Sequence, residues 1–430
     1  MTEFDDVTDP RRQPPIVAGP GGRVSGARHG RRSRDLGLRR LASVLGIGAA
    51  VAVVSATSIT AYAAYDVGHG LQQNAVDVGT DADSIDGAFN VLAVAADNDP
   101  TQEQGGIYGV RQATLNDSNL LLHVSADHTQ AVAISFPRDL IVDQPACTSG
   151  GSTSPAVTDT PLNQAYGRGG LGCVVKTVEK VSGLKIPFAA QMSFDGIIGL
   201  SDAIGGVPVC VTEAIDDPYS QLTLKAGNHT VSGATALAFL RDRHGVGDGS
   251  DLSRISSLQQ FLSSLVRKVK SDGTLGDPAK LYRLAKVVSD SATLSTSLAK
   301  TDTMVGIAQT IQGMGVDRIT FVQYPGTTTD PYFPGKVVPI EDSADALMHA
   351  VANDEPLALD SDAVGRGSTT TDAGKAGAAG SGTAKESAGA DTDSSGSDSA
   401  SEADPTATPT TIDGVTGQTA DQRTCAVAAG

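Results

Sequence analysis

The sequence predicts an α/β fold, namely a three-layer α/β/α domain with a central mixed sheet, preceded by one transmembrane helix. Short apolar runs, FNVLAVAA at 89–96, NLLLHVSA at 119–126 and AVAISF at 131–136, are typical of buried strands. They alternate with segments of helical spacing, GCVVKTVEKVSGL at 172–184 and ISSLQQFLSSLVRKV at 255–269. In the last segment the apolar residues fall on one helical face: Ile255, Leu258, Leu262, Leu265 and Val269.

An apolar stretch at 41–65 predicts the transmembrane helix. Only small or hydroxyl-bearing residues and Tyr62 interrupt its 25 residues, and about twenty apolar residues span a bilayer. The arginine-rich run RVSGARHGRRSRDLGLRR precedes it, which makes 1–40 a disordered basic cytoplasmic tail and places everything after Asp66 outside the cell. AYA at 61–63 leaves a cleaved signal peptide as an alternative. The apolar segment is longer than an ordinary signal-peptide core, which favours an uncleaved, single-pass signal-anchor.

Composition divides the remainder of the chain. It has 430 residues, no Trp and no aromatic residue after Phe333, so the folded part is expected to end well before the C-terminus. We assign 66–85 to a stalk and 86–355 to the domain, because apolar periodicity is continuous over the latter. Residues 356–430 are an Ala/Gly/Ser/Thr-rich, low-complexity extracellular tail, unless Cys425 ties the end back to the domain. The formal charge of −17 argues against nucleic-acid binding, which requires a basic face.

Four cysteines lie in the part that is predicted to be exported, where disulfides persist: Cys147, Cys173, Cys210 and Cys425. The sequence has no CxxC pair or Cys/His cluster that would suit zinc, so we expect structural disulfides. Four cysteines allow three pairings. The pairing of Cys147 with Cys173 is favoured because these residues bracket a Gly/Ser/Thr/Pro-rich loop that a disulfide would order.

Arginines dominate the candidate site. The sequence has no GxSxG, GxxxxGK[ST] or HExxH motif, which argues against serine hydrolases of that type, P-loop enzymes and zinc proteases. The segment FLRDRHGVGDGSDLSRI instead contains Arg241, Arg243 and Arg254. Arg138 follows Pro137 at the end of a predicted strand, and strand ends of open α/β sheets bind ligands. Guanidinium groups bind phosphate in a bidentate manner, so the predicted ligand is a pyrophosphate or a phosphodiester.

Surface ion pairing is the alternative explanation for these arginines. Asp242, Asp248 and Asp251 lie among them, and solvated ion pairs are common and contribute little to stability. That explanation suits a single arginine better than a cluster of four. Ser250 or Asp251 is also expected to cap a helix with Arg254 in its first turn. A cation there opposes the helix dipole unless an anion binds beside it.

Five ordered motifs resemble the LytR-CpsA-Psr proteins of Gram-positive cell envelopes: ISFPRDL, LNQAYGRGG, SDAIGGVPV, VSGATALAFLRDR and DLSRI. The resemblance covers roughly 86–355 and fits the predicted topology. It implies a phosphotransferase that moves a glycopolymer from a polyprenyl-pyrophosphate carrier to a peptidoglycan hydroxyl, with Mg²⁺ as cofactor. The lipid would need an apolar channel between sheet and helices. FAAQMSFDGIIGL at 188–200 is a candidate lining, with core packing as the default interpretation.

The resemblance also assigns roles to individual positions. The catalytic, phosphate-binding arginines would be Arg138, Arg241, Arg243 and Arg254. Asp97, after the strand NVLAVAA, and Asp117, in LNDSNLLLHV, match the two magnesium-binding aspartates. A turn residue is the alternative interpretation of either aspartate.

Three further residues are predicted to bind substrate. Asn163 either reaches the polar head of the carrier or is an ordinary turn former. Asp202 either lines the carrier pocket or bonds the turn at 205–206. Gln259 follows Leu258, which stands where the family commonly has a glutamine.

The predicted metal segment departs from the family pattern. The family usually reads Arg-Ser-Asp-Thr before the second strand, and LNDS here puts Leu115 in place of the arginine. Aligning Arg111 instead would put Ala113 at the aspartate, and the usual arginine near Asp97 is absent from AADNDP. Two alternatives therefore stay open. One is a hydrolase that cleaves the pyrophosphate with water, and the other is a non-catalytic lipid-phosphate-binding envelope protein.

Overall fold

A computed structural model describes residues 65–97, 114–271, 277–359, 363–371 and 409–429. The predicted cytoplasmic tail, and the predicted anchor up to residue 64, lie outside these residues. Among the residues that are described, no helix combines the length and the apolar character needed to cross a membrane.

Eight helices lie in the described ranges. They are α1 (65–73), α2 (Ala165–Ser182), α3 (Phe194–Ile204), α4 (Gly233–Arg241), α5 (Asp251–Ser271), α6 (Pro278–Ser291), α7 (Thr301–Gly313) and α8 (Glu341–Ala352). Side-chain caps fix two of the starts. The Ser193 hydroxyl accepts a hydrogen bond from the Gly196 amide at the start of α3, and Asp277 accepts from the Ala279 amide at the start of α6. Short 3₁₀ turns lie at Leu162–Gln164 and Val316–Arg318.

The strands of the described ranges are β1 (Ala75–Val76), β2 (Phe89–Asp97), β3 (Leu115–Val124), β4 (Ala131–Phe136), β5 (Ile141–Gln144), β6 (Cys147–Ser149), β7 (Ser152–Ser154), β8 (Val157–Pro161), β9 (Phe188–Ser193), β10 (Val207–Val211), β11 (Ile215–Asp217), β12 (Leu222–Leu224), β13 (Gly227–Val231), β14 (Ala292–Ser295), β15 (Ile319–Gln323), β16 (Gly326–Thr327), β17 (Val338–Pro339), β18 (Leu357–Ala358), β19 (Ser368–Thr370), β20 (Thr410–Thr411), β21 (Gly417–Thr419) and β22 (Thr424–Ala426).

Eight of these strands form one central sheet, in the order β1-β14-β9-β2-β3-β4-β15-β21. Strand β2 is parallel to β9 and antiparallel to β3, and β4 is antiparallel to β3 and parallel to β15. The sheet is therefore mixed, and the predicted α/β class with a mixed central sheet is confirmed.

Helices cover both faces of the central sheet. Side chains alternate between the two faces of a strand, and on β3 Leu121 packs with Val174 of α2 and Leu347 of α8. Its neighbour Leu122 packs on the opposite face, in a cluster that includes Leu262 of α5. Helices α6 and α7 contribute side chains to the same cluster as α5. The α/β/α layering follows from these two separate apolar clusters.

A second sheet lies beside α4 and α5, in the strand order β13-β10-β22-β19. Phe239 of α4 and Phe261 of α5 are buried against it, in a third apolar cluster that includes Val209 and Ala426. This sheet joins the chain around 207–231 to the C-terminal residues, which are distant in sequence.

The predicted tail at 356–430 is wrong at its C-terminal end. Strand β21 pairs with β15 in the central sheet, and β22 pairs with β10 and β19. Small and polar residues allow this packing: a side chain at Gly417 would overlap the Phe321 carbonyl, and Ala420 is fully buried. Buried Gln418 donates a hydrogen bond to the Ser263 hydroxyl at 2.7 Å. Because large apolar residues are scarce here, hydropathy does not identify the segment as folded.

The predicted stalk at 66–85 also belongs to the domain. Leu71 of α1 and Val78 are buried, and β1 pairs in parallel with β14 at the edge of the central sheet. The segment is short, so its few apolar residues give no clear period. The central sheet provides the partner that orders it.

Two disulfides are formed. Cys147 pairs with Cys173, which confirms the favoured pairing, and Cys210 pairs with Cys425 across 215 positions. The second disulfide links β10 to β22. It therefore ties the C-terminal segment to the domain.

Candidate active site

Arg138 and Asp117 form an ion pair at one end of the central sheet. Strands β3 and β4 are antiparallel, so the start of β3 lies beside the end of β4. Asp117 lies near the start of β3, and Arg138 lies just beyond the end of β4. The Arg138 Nη1 donates to Asp117 Oδ1, and the two side chains are 23% and 12% exposed. The topology therefore brings together one predicted phosphate ligand and one predicted metal ligand.

A β-bulge determines where Asp117 lies. Ala95 of β2 pairs with Ser118 of β3, but the next residue, Ala96, pairs with Asn116. Asp117 is thus the extra residue of the bulge, and bulges re-aim side chains at functional sites. Asp97 pairs with the residue at position 115, so its backbone lies at the same end of the sheet, while its side chain is outside the described part.

Arg254 completes the cluster from the first turn of α5. Its Nε donates to Asp251 Oδ1 and its Nη2 to the Asp117 carbonyl oxygen, both at 2.9 Å. Asp251 Oδ2 accepts a hydrogen bond from the Arg138 amide, also at 2.9 Å. Asp251 and Arg254 are buried, so the surface-pair interpretation is wrong for Arg254. Asp251 instead fixes two arginines relative to each other.

Arg243 is joined to the cluster through Asp139, the neighbour of Arg138. Its Nε donates to the Gly249 carbonyl oxygen at 3.1 Å, and its Nη1 lies 3.5 Å from Asp139 Oδ2. Lys336 reaches the other oxygen of the Asp139 carboxylate at 2.8 Å. The Arg243 side chain is 38% exposed, so a ligand in solution reaches it more easily than Arg138 or Arg254.

Arg241, the last residue of α4, lies over an aromatic ring. Its guanidinium carbon is 4.7 Å from the centre of the Phe194 ring, a cation–π contact. The next residue, Asp242, is fully buried, and its Oδ1 accepts from the Gly245 amide. Burial, followed by a hydrogen bond with Asp217, raises the pKa of Asp242 to about 7.

Asp248 belongs to the loop between Arg243 and α5 and pairs away from the predicted phosphate-binding arginines. Burial alone would raise the pKa of its carboxyl group, but hydrogen bonds from Ser250 and Ser253 and from Arg366 together lower it below the usual value. The Arg366 Nη1 lies 3.2 Å from Asp248 Oδ2. Asp248 therefore orders the loop as an acceptor.

The three predicted substrate residues lie in different places. Asn163 is buried, and its amide donates to the Arg138 carbonyl oxygen at 2.9 Å, so it adjoins the cluster. Asp202 is an exposed residue near the end of α3, beside Gly233 at the start of α4, and its carbonyl oxygen accepts from the Gly205 amide. Gln259 is buried, and its carbonyl oxygen accepts a long hydrogen bond from the side chain of Gln418. The structure brings only Asn163 next to the arginines.

The described oxygen donors fit Mg²⁺ only in part. No three Asp, Glu, His or Cys side chains in the described ranges gather closely enough to hold a metal. Mg²⁺ is often bound by one or two carboxylates together with substrate phosphates. Asp117 is a suitable donor, although one of its oxygens is already bonded to Arg138. A substrate phosphate would have to complete the coordination.

An apolar cavity of about 190 Å³ lies further along the same elements. Leu120 and Leu122 of β3 line it together with Leu262 and Val266 of α5 and Ile311 of α7. The lining of this cavity includes no residue of 188–200. Phe188 and Ala189 pack in the two main cores instead, as in the default interpretation.

Sequence reasoning missed the roles of two acidic residues that organise the site. It missed Asp139 altogether, and it missed that Asp251 links α5 to the end of β4. Asp251 was recognised only as a helix cap or a surface partner. Its spacing of three from Arg254 was a usable signal, because such pairs face each other on a helix. Asp139 gave no such signal, because its partner Lys336 is 197 positions away.

Comparison with known proteins identifies the family. The model of the LytR_cpsA_psr family matches residues 51–348, more than half of the chain. The chain belongs to the LytR_cpsA_psr family.

Two curated relatives illustrate the similarity. Cell wall biosynthesis protein LcpA of Corynebacterium glutamicum is 30% identical over 58% of this chain and 52% of its own length. The polyisoprenyl-teichoic acid–peptidoglycan teichoic acid transferase TagT of Bacillus subtilis is 26% identical over 56% of this chain and 74% of its own. The chain therefore spans about half the length of LcpA. A match to the crystal structure of B. subtilis TagV has 20% sequence identity and a TM-score of 0.48. It covers 62% of this chain and 96% of the TagV chain.

Proposed function

We propose that this member of the LytR_cpsA_psr family transfers a glycopolymer from a polyprenyl-pyrophosphate carrier to a hydroxyl of peptidoglycan during cell-wall assembly. TagT is named as a transferase of teichoic acid to peptidoglycan, and LcpA is named for cell wall biosynthesis.

The observation that carries the proposal is the relation between the arginine cluster and the apolar cavity. Leu120 lies three residues after Asp117 on β3, about 10 Å along a strand. Leu262 lies eight residues after Arg254 on α5, about 12 Å along a helix. The same two elements thus carry a cationic cluster at one end and an apolar cavity further on. That arrangement suits an amphiphile with an anionic head and a hydrocarbon chain.

The proposed reaction is an in-line displacement at phosphorus. The oxygen of the acceptor hydroxyl bonds to the phosphorus that carries the glycan, and the bond from that phosphorus to the bridging oxygen breaks. Polyprenyl phosphate leaves, and the proton of the hydroxyl passes to the leaving phosphate or to water. The four arginines of the proposed site would hold the phosphate oxygens and balance their charge: Arg138, Arg241, Arg243 and Arg254. Such reactions depend on positioning and electrostatic stabilisation more than on a protein nucleophile.

Mg²⁺ remains part of the proposal. Asp117, with Asp97, would hold the ion, which when bound neutralises phosphate charge. For this to occur, the Asp117 carboxylate must share its oxygens between Arg138 and the ion.

The proposed location is the outer face of the cell membrane, with the chain anchored once through 41–65. It follows from the arginine-rich flank of that segment. The two disulfides are consistent with an oxidising compartment.

The test is an assay with a labelled lipid-linked glycan, run with and without peptidoglycan acceptor. We expect label to enter peptidoglycan only when the acceptor is present, and the Arg243→Ala variant to lose most of this transfer. Release of soluble labelled glycan without an acceptor would indicate the hydrolase. Binding of the carrier without any turnover would indicate a non-catalytic protein. Either result would overturn the proposal.

A further inference from the structure

The loop between α4 and α5, residues 242–250, contacts the C-terminal segment of the chain. This segment comprises residues 363–371 and 409–429, which lie beyond the part that the family model matches. The loop contains Arg243 and leads directly into the first turn of α5, which carries Arg254. An element outside the matched part of the chain therefore adjoins two of the proposed phosphate-binding arginines.

Backbone pairing joins the end of the C-terminal segment to this loop. The Gly247 amide donates a hydrogen bond to the Val427 carbonyl oxygen, and the Ala429 amide donates to the Gly245 carbonyl oxygen, both at 2.9 Å. The two residues between these pairs form an antiparallel β-bridge. The C-terminal segment thus fixes the backbone of the loop over 245–247.

Arg366 contacts the loop at the next residue. Its Nη1 donates to Asp248 Oδ2 at 3.2 Å, and its side chain is 49% exposed. The other oxygen of the Asp248 carboxylate accepts hydrogen bonds from the hydroxyl groups of Ser250 and Ser253, at the start of α5. Asp248 therefore connects the C-terminal segment to the helical turn that carries Arg254.

The loop in turn holds the Arg243 guanidinium. The Gly249 carbonyl oxygen accepts a hydrogen bond from the Arg243 Nε at 3.1 Å. Gly249 directly follows Asp248, so the position of its carbonyl group depends on the contacts that the C-terminal segment makes with 245–248. A continuous series of contacts runs from the C-terminal segment, through the loop backbone, to the guanidinium.

The sequence of the loop does not fix its conformation. Three of the seven residues at 244–250 are glycine, and glycine loses more backbone entropy on ordering than any other residue. Gly247 has a φ of 53° and Gly249 a φ of 76°, which other residues rarely adopt. A side chain at Gly247 would overlap the Ser253 hydroxyl and approach the Arg366 carbonyl oxygen, so the C-terminal segment packs directly on the loop backbone. Contacts from outside the loop are therefore needed to order it.

We propose that the C-terminal segment is a positioning element of the candidate active site, which orders the loop so that Arg243 and Arg254 meet the carrier phosphates at a fixed spacing. The proposal rests on the proposed function, which supplies the pyrophosphate ligand. The segment acts through Asp248 and the Gly249 carbonyl group and does not itself touch the carrier. A loop that is ordered before the ligand arrives loses no further entropy on binding, so the affinity is higher.

A purely structural role of the C-terminal segment is the alternative. Strands β21 and β22 and the disulfide of Cys425 already attach the segment to the domain. If the contacts with the loop only add to this attachment, their loss should lower the melting temperature and leave carrier affinity unchanged at temperatures where the protein is folded. Positioning predicts the opposite: a lower affinity with nearly unchanged melting.

The first test removes one backbone donor. Ala429→Pro lacks the amide that donates to the Gly245 carbonyl oxygen, and Ala429 is exposed, so no buried side chain is lost. Ala429→Ser is the matched control, because it keeps the amide. We expect Ala429→Pro to weaken binding of polyprenyl pyrophosphate to the full chain in detergent by about three- to tenfold. The melting temperature should change by less than about 3 °C, and the control should bind like the wild type.

The second test asks whether Arg366 acts through Arg243. Arg366→Gln should weaken carrier binding by about two- to fivefold, because an exposed ion pair contributes little. The control is Arg283→Gln, which replaces an exposed arginine of α6. In an Arg243→Ala background, Arg366→Gln should weaken binding by a smaller factor, because the guanidinium that it positions is absent.

Three results would overturn the positioning role. They are unchanged carrier affinity in both Ala429→Pro and Arg366→Gln, a loss of affinity that accompanies a lower melting temperature, and equal effects of Arg366→Gln in the two backgrounds. If Arg243→Ala still weakened binding in these cases, the proposed function would stand while the positioning role failed. A wild-type protein that binds no polyprenyl pyrophosphate would overturn both.

Discussion

The carboxylate of Asp251 accepts a hydrogen bond from the guanidinium of Arg254 at 2.9 Å, and both side chains are buried. They lie three residues apart in the first turn of α5, where a negative charge is favoured by the helix dipole. The second oxygen of Asp251 accepts from the Arg138 amide, so one carboxylate joins the start of α5 to the end of β4. The geometry of the arginine cluster depends on this contact.

We predict that Asp251→Ala destabilises the protein by about 3–5 kcal/mol, because it leaves the buried Arg254 guanidinium without its carboxylate. Urea denaturation measures this change. The matched control is Asp317→Ala, which removes the exposed partner of Arg318 and should change stability by less than about 1 kcal/mol. Equal effects of the two substitutions would contradict the structural role of Asp251.

For the arginine cluster, Arg243→Ala is expected to weaken polyprenyl-pyrophosphate binding by roughly 10- to 100-fold, through loss of a charge-assisted hydrogen bond. Its fold should survive, because the side chain is 38% exposed. Arg243→Lys should recover only part of the affinity, since it lacks the planar fork. Replacing any of the other three arginines by Ala should also weaken binding: Arg138, Arg241 or Arg254. Arg254→Ala should in addition destabilise the folded protein. The control is Arg283→Ala, which replaces an exposed arginine of α6. If all four Ala variants bound the carrier as tightly as this control, the phosphate site would be contradicted.

The raised pKa of Asp242, about 7, predicts a pH-dependent stability. Between about pH 4 and 7 the folded state keeps the Asp242 proton, whereas the unfolded state releases it at an ordinary pKa near 4. The contribution of Asp242 to the free energy of unfolding is therefore fully present below pH 4 and is lost as the pH rises to 7. The slope contributed by this group is at most about 1.4 kcal/mol per pH unit. Burial raises the pKa of Asp217, but its backbone and side-chain hydrogen bonds lower the pKa by more, so the net shift is downward. The pH dependence of stability that Asp217 contributes therefore lies below pH 4. Asp242→Asn should flatten the profile between pH 4 and 7 in denaturation experiments, and an unaltered slope would show that another group causes it.

The two disulfides are expected to contribute unequally. Replacing Cys210 and Cys425 by Ser opens a connection across 215 positions and should cost about 2–5 kcal/mol. Replacing Cys147 and Cys173 opens one across 26 positions and should cost less, because the entropy of a closed loop grows with its length. Denaturation of the oxidised variants tests the order, and peptide mapping without reduction verifies the pairings. A smaller effect of the longer connection would contradict the expected order.

Topology can be tested on intact protoplasts. Added protease should digest the chain after residue 66 and spare the arginine-rich segment before 41–65, because that segment is predicted to lie in the cytoplasm. Antibodies against the two ends distinguish the products, with detergent-lysed protoplasts as the control for accessibility. Protection of the C-terminal end in intact cells would contradict the predicted orientation.

Elements with a local signal could be predicted from the sequence. The apolar runs around Leu92 and Leu121 predicted buried strands, and the spacing from Ile255 to Val269 predicted α5, because burial of one face imposes a period on nearby residues. The disulfide between Cys147 and Cys173 could be predicted because the two residues are close in sequence and bracket a single loop. The ordered motifs around Arg138 and Arg254 pointed to the family.

Contacts between groups that are distant in sequence could not be predicted in this way, because they depend on how the elements pack. The bulge that positions Asp117 depends on the register between β2 and β3, and the pairing of Asp139 with Lys336 joins residues far apart in sequence. The C-terminal strands β21 and β22 are built from small and polar residues, so they have no hydrophobic period of their own. Their order comes from the neighbouring strands and from the disulfide to Cys210. Such pairings depend on the complementarity of two surfaces, and neither segment contains that information alone.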